Sequence, residues 1–175
     1  IGVSKDALTH KFNKTTTAET APKRRIKTQP QPLNKKTVED KKAQDHFLSL
    51  MLMQPQLRTY LDLVTTEMLY EEDAEKLLEF LKAHPDWGGT PTLVQGLAEC
   101  AKILSLQFEE LYQGLELTEL RYEAARLQAR LVEHFVKTKK QSIAEQLENA
   151  DEATTQTLLT EVKKLDNLLN NVKGR

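Results

Sequence analysis

The side chains best suited to chemistry are few in this chain, and their spacing is poor for catalysis. Cys100 is the single cysteine, and the four histidines stand apart at positions 10, 46, 84 and 134, without metal-ligand spacing. A lone cysteine makes no internal disulfide. Cys100 falls in an apolar helical pattern with Leu97, Ala98, Ala101 and Leu104, which assigns it to a core rather than to a nucleophile's role. Glu71, Glu72 and Asp73 form the densest acidic cluster. Acids at a helix start complement the positive end of the helix dipole, which is their reading here in preference to a metal site. Gly88-Gly89 lacks the strand-then-helix setting of a dinucleotide site, and no phosphate loop, paired-cysteine motif, HExxH or GxSxG occurs. The sequence predicts no catalytic, cofactor or metal site in this stretch. Its composition suits a protein-binding module.

The elements that position such a module read as helices. Only 6 of 175 residues are Gly, aromatic content is 6 %, and β-branched runs are short. From Leu117 the apolar positions Leu117, Leu120, Ala124, Leu127, Leu131 and Phe135 fall on one helical stripe, with Thr118 as the expected N-cap. Asn149-Ala150-Asp151 is the only obvious break before Gly174. Beyond it, Leu158, Val162, Leu165, Leu169 and Val172 recur at alternating steps of four and three, a heptad seam. A turn near Ala150 sets Ile143 opposite Leu158, Val136 opposite Leu165 and Val132 opposite Leu169. Leu159 and Leu168 widen the second stripe beyond what one partner helix covers. That surplus must meet either the preceding helices or another protein.

Upstream, Thr37 is the expected cap of a helix that is apolar nearly all round at Phe47, Leu48, Leu50, Met51, Leu52 and Met53, hence central to a bundle. Pro55 ends it and opens a short helix through Leu57, Tyr60, Leu61 and Val64. A third helix turns Leu77, Leu78, Phe80 and Leu81 inward and stops at Pro85. After the Trp87-Gly88-Gly89 turn, Thr90 and Pro91 begin a helix through Leu93, Leu97 and Cys100, and a further helix runs from Ile103 to Tyr112, closing at Gly114. The predicted fold class is all-α: a compact helical bundle at 38–116, followed by a long helix and a C-terminal antiparallel helical hairpin at 117–175.

Residues 1–13 read as the end of an upstream domain, and the start at Ile1 rather than Met suggests part of a longer protein. Residues 14–37 read as a basic flexible linker with prolines at 22, 30 and 32. From Lys14 to Lys36 seven basic residues accompany one acid, whereas from Thr37 onward 16 Lys plus Arg stand against 24 Asp plus Glu, a net charge of −8. An acidic helical domain is a poor grip for phosphate, so any weak nucleic-acid contact belongs to the basic tract. No apolar run approaches the ~20 residues that span a bilayer, and no signal peptide is evident. A soluble, cytoplasmic protein of a reducing compartment is expected, with no membrane contact.

This layout resembles the C-terminal end of bacterial DnaG-type primases. FLSLMLMQPQL (47–57) is similar to the family's apolar first helix and its proline turn, LLEFLKAHPDW (77–87) to its third-helix stop, and the terminal hairpin completes the order. The head IGVSKDALTHKFN resembles the last helix of the primase polymerase core, so the resemblance spans essentially the whole chain. The N-terminal domain of the replicative helicase shares a similar helical pattern, but it has no basic linker and domain tail upstream. The resemblance implies a non-catalytic module that docks onto the N-terminal collar of the hexameric replicative DNA helicase and stimulates it, coupling primer synthesis to the fork. Zinc-binding and polymerase residues of the family are absent here. Polar residues near the family's C-terminus serve the contact; by position these are Asn167 and Asn171, on a face with Thr160 and Lys164. The chain departs from the family in these Asn residues and its Lys173-Gly174-Arg175 ending, where relatives often carry Gln and Lys. The expected helicase-binding set is Ile143, Leu147, Leu158, Leu159, Lys164, Asn167, Leu168 and Asn171, on a module monomeric by itself. A helical dimerisation domain, pairing two hairpins, fits the same seam, and a nucleic-acid-binding tail remains a third reading.

Overall fold

The computed structural model describes residues 35–88, 96–148 and 150–174, all within one unit, Leu33–Arg175. Every regular element among the described residues is helical: α1 (Lys35–Met53), α2 (Glu72–Ala83), α3 (Ala98–Tyr112), α4 (Leu117–Leu147) and α5 (Glu152–Lys173), with 3-10 segments at Pro55–Leu63 and Thr66–Met68. The expectations for residues 1–13, for the basic tract up to residue 34, and for a helix start at Thr90 and Pro91 concern residues outside those described.

α1 is the element around which the others pack. Phe47, Leu48, Leu50 and Met51 are buried on every side of its C-terminal half, because α2, α3, α4 and the longer 3-10 segment all lie against it. Such a helix has no solvent face to orient it, so its coverings must come from all round. The inward residues of the neighbours follow from periodicity: Leu77, Leu78 and Leu81 on α2, Ala101, Leu104 and Phe108 on α3, Leu120, Ala124, Leu127 and Leu131 on α4.

Three boundaries differ from the sequence reading. Thr37 does not cap α1 but lies inside it; neither Gly nor Pro occurs between Leu33 and Gln54, and the helix already includes Lys35. Thr118 is likewise internal. The long helix is capped by Glu116, whose carboxylate accepts from the backbone N–H of Glu119 while the Glu119 carboxylate accepts the Glu116 N–H at 2.9 Å. Cys100 and Ile103 share one continuous helix, α3, since no helix breaker separates them. The real breakers are Gly96 and Gly114, whose φ of 79° and 91° are left-handed.

Buried polar side chains tie these helices together where backbone hydrogen bonds run out. α1 ends because residue 54 precedes a proline, and α2 ends at the His84-Pro85 step, so both expose carbonyls without intrahelical partners. One guanidinium reaches both ends. Arg58, 5 % exposed, donates from Nε to Met51 O (3.0 Å), from Nη2 to Leu52 O (3.4 Å), and from Nη1 to His84 O (2.9 Å) and Pro85 O (2.8 Å). A cation at two helix C-termini also complements two dipoles. Gln44 of α1 accepts the Tyr70 N–H at 2.7 Å, ahead of α2, and Gln128 of α4 donates to Tyr60 O in the 3-10 segment. Lys82 of α2 donates to Val64 O at 2.6 Å.

Replacing Arg58 by Met should therefore remove a donor from four carbonyls, two of them buried, Met51 O and Leu52 O. The expected cost is about 3 kcal/mol, read as a melting temperature lower by roughly 10 °C; Arg58→Lys should recover only part. An unchanged melt would show that the carbonyls find other partners. A second expectation concerns acid. His46 Nδ1 lies 2.9 Å from the Tyr112 hydroxyl, joining α1 to α3, and burial holds its pKa below the ordinary histidine value of 6.5. The unfolded chain takes up that proton first as pH falls, so stability drops below about pH 6.5. In thermal melts from about pH 7 to pH 5, His46→Gln should show a shallower decline than the native chain; an identical slope would remove His46 from the account.

Candidate functional site

Several of the residues with catalytic potential have partners within the fold. Glu71 pairs with Lys41 of α1, and Glu72 with Lys76 one turn along α2 at 2.7 Å, so the acidic run anchors a helix start. Among the described residues no group of His, Cys, Asp and Glu is arranged to hold a metal. Cys100 is half-buried and that burial pushes its thiol pKa up, away from the reactive thiolate.

One constellation escaped the sequence reading. Asp40 of α1, His134 of α4 and Tyr70 ahead of α2 form a chain from carboxylate to imidazole to phenol. His134 Nε2 lies 3.2 Å from Asp40 Oδ2, and His134 Nδ1 lies 3.1 Å from the Tyr70 hydroxyl. Arg130 holds the other oxygen, Oδ1, at 3.3 Å. Burial and the Asp40 charge raise the Tyr70 pKa, which keeps the phenol protonated. The adjoining cleft, about 110 Å³ between Tyr70, His134 and Phe135, is too small for most substrates. The group joins three elements. No spacing in the sequence links residues 40, 70 and 134, so only the fold reveals it.

A cleft of about 530 Å³ lies between the longer 3-10 segment and the end of α2. Its most promising cation, Arg58, already makes four hydrogen bonds to backbone carbonyls. That leaves the C-terminal helices as the surface of interest. α4 runs for 31 residues, and its first half is buried against α1 and the 3-10 segments. Farther on it meets α5, which Asp151 starts by accepting the Thr154 N–H at 3.0 Å. Lys140 pairs with Asp166, and Glu133 with Lys173 at 3.8 Å, so α5 runs back along α4.

α5 buries one residue per heptad, Leu158, Leu165 and Val172. This separates the expected binding residues into two groups. Ile143 and Leu158 are buried, and Leu147 and Leu168 are half-buried against the core. Ile143 and Leu158 are packed between the helices of this chain. Leu159 is 49 % exposed, and Lys164, Asn167 and Asn171 are exposed. With Thr160, the last three follow steps of four, three and four along the face away from the buried stripe. The Thr160 hydroxyl is occupied, donating to Gln156 O at 2.9 Å. Among the described residues, nothing pairs with Lys164 or with either amide, so this ridge offers donors and acceptors to an outside partner.

Leu158→Ala should cost about 3 kcal/mol and loosen α5 before the rest of the fold. Limited trypsin digestion should then cut first after Lys163 and Lys164, leaving the remainder up to α4 intact. Uniform cleavage of the whole chain would contradict an independently opening α5.

No family model, no curated protein and no solved structure matches this chain.

Proposed function

We propose that the chain is a non-catalytic docking module of a DnaG-type primase, built as a compact helical bundle carrying a terminal helical hairpin. Its target is the N-terminal collar of the hexameric replicative helicase. The observation that carries this reading is the polar ridge of α5, Thr160, Lys164, Asn167 and Asn171, whose amides and ammonium lack partners among the described residues. Leu159 adds an exposed apolar contact at the flank. Asn167 and Asn171 on this ridge stand at the positions at which the resemblance to primases implies helicase contact. Six chemically equivalent subunits in a ring allow several copies to bind, so a weak individual contact suffices. The module acts in the cytoplasm, without cofactor, and is a monomer alone.

Exposed Leu159, beside the half-buried Val162 and Leu169, favours a second reading in which two hairpins pair into a four-helix arrangement. Its signature is a stable dimer in sedimentation.

The test is a binding titration against the replicative helicase of the same organism, with three forms of the chain. The native form should bind saturably, truncation after Asn149 should abolish binding, and Asn167→Ala with Asn171→Ala should weaken it about tenfold with an unchanged melt. Binding that survives truncation would move the contact away from α5. No binding by a chain that sediments as a dimer would favour the second reading.

A further inference from the structure

α3 presents a second surface that the fold leaves open. Its inner face, with Ala101, Leu104, Phe108 and Tyr112, is buried, yet Ile103 is 64 % exposed and Leu106 55 %. Ile103, Gln107 and Leu111 follow the i, i+4, i+8 spacing of one ridge, with Leu106 beside it. The ridge leads to the Gly114 turn. Past that turn, Leu115 and Tyr122, the latter 75 % exposed, line a cleft of about 440 Å³ together with Tyr112 and Thr118. Large apolar side chains gathered in this way are unusual on a surface that meets only water.

Charge identifies the occupant. Glu99 stands one turn before Ile103 and Glu110 one turn after Leu106, and among the described residues neither they nor Glu109 has an ion-pair partner. The stretch from Ala98 to Glu123 carries six glutamates against Lys102 and Arg121, and of these Glu123 is paired with Arg126. Two copies meeting through this face would bring like charges together, and a phosphate-bearing partner would be repelled. We propose that the α3 face docks a basic amphipathic helix of another protein. Its apolar stripe lies along Ile103, Leu106 and Leu111, and its Lys or Arg side chains meet Glu99, Glu109 and Glu110. This surface is separate from the ridge of α5 and stands whether or not that ridge binds a helicase.

The probe is a labelled synthetic helix of about 18 residues, with Leu on one stripe and Lys elsewhere; its companion carries Glu in place of Lys. Anisotropy titrations with the full chain should give saturable binding of the Lys peptide and none of the Glu peptide. Ile103→Ser with Leu106→Ser should weaken binding at least about tenfold, and Glu99→Gln with Glu110→Gln should weaken it and flatten its salt dependence. All four positions are exposed, so melts should be unchanged, and amide shifts in NMR should map to 98–112. Equal affinity in the serine variant, or equal binding of both peptides, would overturn the proposal. So would a concentration-dependent dimer of the native chain that the serine variant abolishes, which would assign the face to a second copy.

Discussion

A helical stretch with no polar side must be covered from every direction, and that constraint on the C-terminal half of α1 organises this molecule. Phe47, Leu48, Leu50 and Met51 point to different sides of one helix, and each side requires a neighbour. α2, α3, the longer 3-10 segment and the first half of α4 fill those places. Once α1 is enclosed, the second half of α4 has little core left to join. It is covered by α5 instead, through a seam of three buried residues on the α5 side. The first half of α4 is thus held by a many-sided core, while the second half reaches that core through His134 and Lys139 and is otherwise covered by α5.

Apolar packing alone does not fix how these helices stop. Short elements leave many backbone groups without intrahelical partners, and burial of such groups is costly unless they are bonded. Arg58 resolves this at two helix ends together, while Gln44, Gln128 and Lys82 bind single backbone groups in the connections. The Asp40, His134 and Tyr70 chain adds a cross-tie between α1, α4 and the approach to α2. These groups specify which arrangement of helices forms, a role that hydrophobic burial, being non-directional, does not perform.

The legible part of this fold is the part written in short-range periodicity and chain breakers. The central character of α1, the stop at Pro85, the seam of Leu158, Leu165 and Val172, and the break at 149–151 are all visible in residue spacing. Arg58 and Gln128 are harder because their partners are backbone carbonyls, which carry no sequence identity; Tyr60 lies 68 residues from Gln128. Their one signal is a polar residue standing within an apolar stripe, as Gln128 does between Leu127 and Leu131. The candidate site divides in the same manner. Heptad spacing identifies Ile143 and Leu158 as apolar seam positions, but not whether the seam faces a partner or its own neighbour, and the structure buries both. Ile103 and Leu106 illustrate the reverse case, apolar residues of a core helix that point to water.

The functional account depends on the outer face of α5 being a contact surface, and on α4 and the core serving as its support. Amide hydrogen exchange of the chain, alone and with the hexameric replicative helicase, tests this most directly. The account predicts new protection concentrated in residues 152–173 around Lys164, Asn167 and Asn171, with α1 and α2 unchanged. Protection confined to the core helices, with exchange in α5 unaltered, would contradict it.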